Sequence, residues 1–166
     1  MAIQGETFST VASGVTETAY LAEDLSFGNT YEFKIESRNA NGFSAYSDTL
    51  ALLCAYKPDP PLSLSTANSA DLVTVSWSLP VANGYPVHAY KILVQEKASG
   101  FYTQESTDCD GTSAEVVAGR ECTIALATLR ATPYNLEKGD SVNVKVISVN
   151  KFGDSKRSSL GAGAVI

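Results

Sequence analysis

One stretch of this chain is written twice, and that repeat limits its folding options more than any other feature. Residues 25–47, LSFGNTYEFKIESRNANGFSAYS, fall over residues 136–158, LEKGDSVNVKVISVNKFGDSKRS, when shifted by 111 positions. Eight positions are then identical: Leu25/Leu136, Gly28/Gly139, Lys34/Lys145, Ser37/Ser148, Asn39/Asn150, Gly42/Gly153, Ser44/Ser155 and Ser47/Ser158. Tyr31, Phe33 and Ile35 become Val142, Val144 and Val146, so the apolar alternation survives while its side chains change. A fixed period with a preserved apolar face marks a repeated supersecondary unit. Modules of roughly 110 residues follow.

Alternation rather than helical periodicity runs through the rest of the chain, with Gly, Pro, Asn and Asp between the apolar runs, which predicts an all-β fold. Residues 7–11 and 16–21 read as short strands flanking Ser13-Gly14. Residues 31–39 set Tyr31, Phe33 and Ile35 on one face and Glu32, Lys34 and Glu36 on the other, the pattern of an antiparallel sheet with one wet side. A turn at residues 39–42 returns the chain into a partner strand at 47–54. Residues 57–61, KPDPP, read as a stiff linker. Strands follow at 72–77, 87–96, 101–107 and 121–129, and residues 132–135 form an irregular crossing before the second copy of the repeat.

Pro60-Pro61, Leu64, Val73-x-Val75-x-Trp77, Pro80, Gly84, Val87 and Tyr90-x-Ile92-x-Val94 resemble the first half of a fibronectin type III domain. Leu25, Gly28, Tyr31, Phe33, Ile35, Asn39, Gly42, Ser44 and Ser47 resemble the second half. The resemblance implies an immunoglobulin-like sandwich in which strands A, B and E face C, C′, F and G. Its core would hold Trp77, Tyr90 and Leu136, and in the first copy Tyr31 as the corner tyrosine of strand F. It also implies the organisation: residues 1–56 as the closing half of a module (C′, E, F and G), 57–61 as linker, and 62–166 as a complete module. Strands A, B and C of the first module would then precede Met1, by truncation of a tandem array or by loan from a neighbouring chain.

The sequence departs from the family pattern in two places. Val142 replaces the corner tyrosine in the second copy, with Tyr134 as the candidate substitute. Residues 107–135 are long and carry Cys109 and Cys122. A bridge between these two would close a short loop and add about 3 kcal/mol; two reduced thiols are the alternative. Cysteine-bearing repeats of this kind are similar to those strung along large surface proteins of single-celled eukaryotes. Cys54 reads as a small buried hydrophobe.

The charge is −6 with a pI near 4.7, which disfavours nucleic acid as a partner. Lys151, Lys156 and Arg157 read as a solvated loop. No apolar run is long enough to span a membrane, and residues 1–6 have no leader-like pattern. The single histidine, His88, is expected to be exposed and inert, so neither a two-histidine metal site nor a Ser/His/Asp triad is expected. Asp108-Cys109-Asp110-Gly111 lacks the further ligands of a calcium loop and reads as a turn. Residues 161–164, GAGA, align with 50–53 as a weak strand G. No cofactor and no catalysis are expected.

The expected role is that of a non-enzymatic structural and adhesive spacer from a larger surface protein, contacting other protein modules through loops at one end of the sandwich. Asn83, Gly84, Tyr85, Lys151 and Phe152 are the candidate contact residues. An accessory domain of a secreted enzyme and an intracellular cytoskeletal repeat are the competing roles.

Overall fold

A computed structural model describes all residues, Met1–Ile166. The chain divides into two units, Met1–Tyr56 and Lys57–Ile166.

The second unit is a sandwich of two antiparallel sheets. One contains β6 (Leu62–Ser69), β7 (Leu72–Ser78) and β10 (Glu121–Ala125) in the order β10-β7-β6. The other contains β8 (Ala89–Gln95), β9 (Tyr102–Glu105), β11 (Val144–Asn150) and β12 (Gly153–Asp154) in the order β12-β11-β8-β9. This is the expected arrangement of A, B and E against C, C′, F and G. Period-two alternation drives it: Val73, Val75 and Trp77 from β7 meet Tyr90, Ile92 and Val94 from β8 and Val144 and Val146 from β11 in one buried cluster. Trp77 is 5% exposed and meets the Tyr90 ring edge-on, with centroids 5.0 Å apart. Tyr90 and Leu136 are buried beside it.

Residues 57–61, expected as a linker, are bound into this second unit. Pro58 and Pro61 are buried, Asp59 N–H donates to Val81 O at 2.9 Å, and Ser148 Oγ donates to Asp59 O at 2.5 Å. The expected strand over residues 121–129 stops at Ala125 and continues as helix α2 (Leu126–Arg130). Leu, Ala and Arg favour helix. The Asp108 carboxylate fixes the start by accepting from Ala125 N at 3.0 Å and Thr128 Oγ1 at 2.6 Å.

The long 107–135 segment is ordered by carboxylates. Glu105, only 2% exposed, accepts from the amides of Thr107, Asp108 and Cys109 at 2.7, 3.1 and 2.9 Å. Asp110 accepts from the amide and hydroxyl of Thr112, and those bonds hold its carboxyl below the usual carboxylate range. Gly111 then passes so close to β8 that a Cβ would lie 2.0 Å from Tyr90 O, while Tyr90 N–H donates to Gly111 O at 2.9 Å. Cys109 and Cys122 are joined in a disulfide that encloses helix α1 (Ala114–Gly119).

Strand G of this unit is irregular for a specific reason. Val144 pairs with Gly161 and Ser141 with Val165, where the first copy pairs Phe33 with Leu50 and Thr30 with Leu53. One extra residue therefore bulges between 161 and 165, so the alignment of 161–164 with 50–53 holds only at its start. Strand β6 captures the bulge: Thr66 Oγ1 accepts from Ala164 N at 2.9 Å, and Asn68 bonds Val165 through both its amide oxygen and nitrogen. Gly163 sits there at φ +140°, with a would-be Cβ 2.4 Å from Thr66 O.

The first unit holds β1 (Ala2–Ile3), β2 (Thr30–Phe33), a small hairpin of β3 (Arg38–Asn39) and β4 (Gly42–Phe43), and β5 (Leu50–Leu53). Its main sheet has the order β1-β2-β5. The strands expected over 7–11 and 16–21 are absent, and the one expected over 31–39 breaks after Phe33. In the second unit, β10 takes its hydrogen bonds from β7; the first unit has no strand in that role, so alternation at 16–21 has no ladder to join. Ala2 and Ile3 pair with Glu32 and Tyr31, on the side of β2 that β8 occupies beside β11. β1 thus takes beside β2 the place that β8 holds beside β11. Tyr31 is buried and its hydroxyl accepts from Ser26 N at 2.9 Å, but Leu21 and Ile35 are 77% and 75% exposed.

Candidate functional site

The loops expected to carry contacts meet at one end of the second unit. Residues 79–88 connect β7 to β8, and Lys151-Phe152 forms the turn between β11 and β12. Asn150, 3% exposed at the end of β11, ties them together. Its Nδ2 donates to Ala82 O and Tyr85 O, both at 3.2 Å, and its Oδ1 accepts from Phe152 N at 2.8 Å. Asn83, in the left-handed region at φ 51°, donates from Nδ2 to Lys57 O and Asp59 Oδ1 at 3.0 Å each. Both loops are therefore pinned to the strands below them.

Pinning produces a small platform. Tyr85 and Phe152 meet edge to face with centroids 5.7 Å apart, and Lys151 Nζ lies 5.8 Å from the Tyr85 ring centroid. Phe152 is 43% exposed, an aromatic held in water by a rigid turn. Gly84 completes the turn next to Asn83. All five candidate residues, Asn83, Gly84, Tyr85, Lys151 and Phe152, lie within these two loops. The expectation missed Asn150 as the tie and Asp59 as its counterpart; identity of Asn39 and Asn150 across the repeat was the available signal.

Other features noted in the sequence take no part in the aromatic platform. His88 is exposed, and its backbone N–H donates to Val149 O at 3.0 Å. Cys54 is a half-buried free thiol in the first unit, not the buried hydrophobe expected. Tyr134 is buried, but its hydroxyl donates to Gln104 O at 3.2 Å, so it does not take over the missing corner bond. Burial, followed by the charges of Glu105 and Glu96, pushes its phenol up to about 12.

The corner is closed instead by Asp140. Its Oδ2 accepts from Glu137 N at 2.7 Å, the repeat equivalent of the Ser26 amide bound by Tyr31. Lys97 Nζ reaches the same carboxylate at 2.9 Å and Glu137 at 2.7 Å. The Glu137 amide and Lys97 hold the Asp140 carboxyl low.

No three His, Cys, Asp or Glu side chains form a cluster able to hold a metal ion. No helix is long and apolar enough to cross a membrane.

No family model matches the chain. A Kelch domain-containing protein of Saccharolobus solfataricus is 30% identical over 138 residues, which is 83% of this chain and 16% of that protein. Fibronectin type-III domain-containing protein 3a of Gallus gallus is 35% identical over 69 residues, 39% of this chain and 6% of that protein. A crystal structure of domains from titin superposes with a TM-score of 0.51 at 20% identity, covering 83% of this chain and 40% of that one, a likeness of fold alone. The chain spans less than a fifth of the curated relatives it matches. With Trp77 buried between an E-B-A sheet and a G-F-C-C′ sheet, the second unit has the fold of a fibronectin type III domain, and over 69 residues the chain is similar in sequence to a fibronectin type-III domain-containing protein.

Proposed function

We propose that the chain is a non-enzymatic structural and adhesive spacer from a larger multi-domain protein, and that its second unit contacts other protein modules through the Tyr85–Phe152–Lys151 platform. The observation that carries this reading is the Asn150 tie. A surface aromatic pair anchored by buried side-chain-to-backbone bonds loses little freedom on binding, which is what a contact residue needs. Aromatic residues on loops above a rigid scaffold also suit protein recognition.

The short span relative to the curated relatives supports a larger parent. The Cys109–Cys122 bridge supports an extracellular or cell-surface setting. Residues 1–56 act in this reading as the closing half of a further module. Their exposed Leu21, Ile35, Leu50 and Leu52 correspond to side chains that a facing sheet would bury. At about 1.5–3 kcal/mol for each large apolar side chain, these four losses amount to about 6–12 kcal/mol, comparable with the whole stability of a domain.

The test is a photoreactive phenylalanine analogue placed at Phe152 in the parent protein, with a second placed at Arg130 as control. Protein cross-links from position 152 that are absent from position 130 are expected. Equal cross-linking from both, or none from 152, contradicts the platform.

A further inference from the structure

The two copies share a surface feature that the loop platform does not include. Lys145 Nζ lies 4.9 Å from the Tyr102 ring centroid, and Lys34 Nζ lies 4.6 Å from the Phe8 ring centroid. These pairs occupy the same place in each sheet. Met1 and Ser9 exchange backbone bonds at 2.7 and 2.9 Å, as Val94 pairs with Thr103, so Phe8 stands where Tyr102 stands. Lys34 and Lys145 are one of the eight identities of the repeat. Their surroundings differ in charge. On the same face of β2 and its continuation, Lys34 is flanked by Glu32 and Glu36; the equivalents beside Lys145 are Asn143 and Ile147.

We infer that the outward face of the β9-β8-β11 sheet is a docking surface for an acidic protein segment with an apolar anchor. In register, Lys145 faces Leu93 and Ile147 faces Lys91, so half-buried Ile147, beside the buried Leu93, lies between cations. Lys91 is balanced by Asp154 at 2.5 Å, whereas neither Lys145 nor Arg157 has a carboxylate within ion-pair distance. Arg157 precedes Ser158, whose amide donates to Val146 O at 2.9 Å, which sets it along the edge of β11. In a chain of net charge −6, this face keeps uncompensated positive charge beside half-buried Ile147 and Tyr102. Two unbalanced cations are few for a polyanion but fit one or two carboxylates flanking a side chain seated on Ile147. The surface is separate from Tyr85 and Phe152, so either proposal can fail alone.

The experiment titrates the isotope-labelled 166-residue chain with a synthetic Glu/Asp-rich decapeptide bearing one central Phe, and separately with a sulfated oligosaccharide. Amide shifts confined to residues 91–93, 102–104, 145–147 and 157 are expected with the peptide. Lys145→Gln should weaken binding about fivefold, as should raising the salt, and Phe152→Ala should leave it unchanged. Arg157→Gln, at an exposed site, gives a second reading should Lys145→Gln disturb the sheet. No shifts on this face, shifts indifferent to both substitutions, or tighter binding of the oligosaccharide than of the peptide would each overturn the proposal.

Discussion

At the scale of single residues, most of the repeat's polar identities resolve into side-chain-to-backbone bonds. Ser47 Oγ accepts from Ile35 N at 3.1 Å and Ser158 Oγ from Val146 N at 2.9 Å; Ser44 and Ser155 do the same for Ser37 and Ser148, at 3.0 Å each. Along this edge a serine hydroxyl stands in for a backbone carbonyl, which is why these serines recur while their neighbours change. Ser158→Ala orphans a buried amide and should cost about 1–3 kcal/mol, whereas Ser47→Ala, at an exposed site, should cost less; chemical denaturation of both variants checks the order. The Asp140 corner gives a pH-dependent counterpart. Its carboxyl is held low in the folded chain, so its contribution is fully present above the unfolded carboxylate value and is lost as pH falls through the lower folded value. Asp140→Asn should therefore lower the melting temperature at pH 7 and flatten its decline below about pH 4. A melting temperature equally acid-sensitive in both proteins would remove Asp140 from that role.

At the scale of elements, the alternating runs of the second unit's core strands were readable in the sequence. Val73-x-Val75-x-Trp77 and Tyr90-x-Ile92-x-Val94 alternate, pair and bury as written. Alternation at residues 7–11 and 16–21 is similar on paper, but strand formation needs a neighbouring ladder, and residues 16–21 have none. Helix α2 was read as the end of a strand because its start depends on Asp108, a long-range contact that periodicity does not record. The candidate loops were legible from their turn residues, while the Asn150 tie, spanning 65 and 68 positions, was not. The strand-G bulge belongs to the same class, since Thr66 and Asn68 act from the far end of the unit. Gly163→Ala should destabilise the second unit by more than about 1 kcal/mol, because φ +140° and the Thr66 carbonyl both oppose a Cβ. Gly139→Ala, at φ +96° with open space, should cost less; thermal melts of the two variants decide it.

At the scale of the molecule, charge and covalent closure distinguish the two units. The second has the disulfide, the filled sandwich and the cationic sheet face; the first has the free thiol and the exposed leucines. Thiol titration of the denatured, unreduced chain should find one reactive group, Cys54, while three would mean that Cys109 and Cys122 are unbonded. Residue-resolved hydrogen exchange of the full chain goes to the central point, that stability concentrates around Trp77 and fades where no facing sheet exists. Slow exchange at β7, β8, β10 and β11, with fast exchange throughout residues 1–56, is the predicted result. Equal protection of β2 and β11, or fast exchange at Val75 and Ile92, would contradict it.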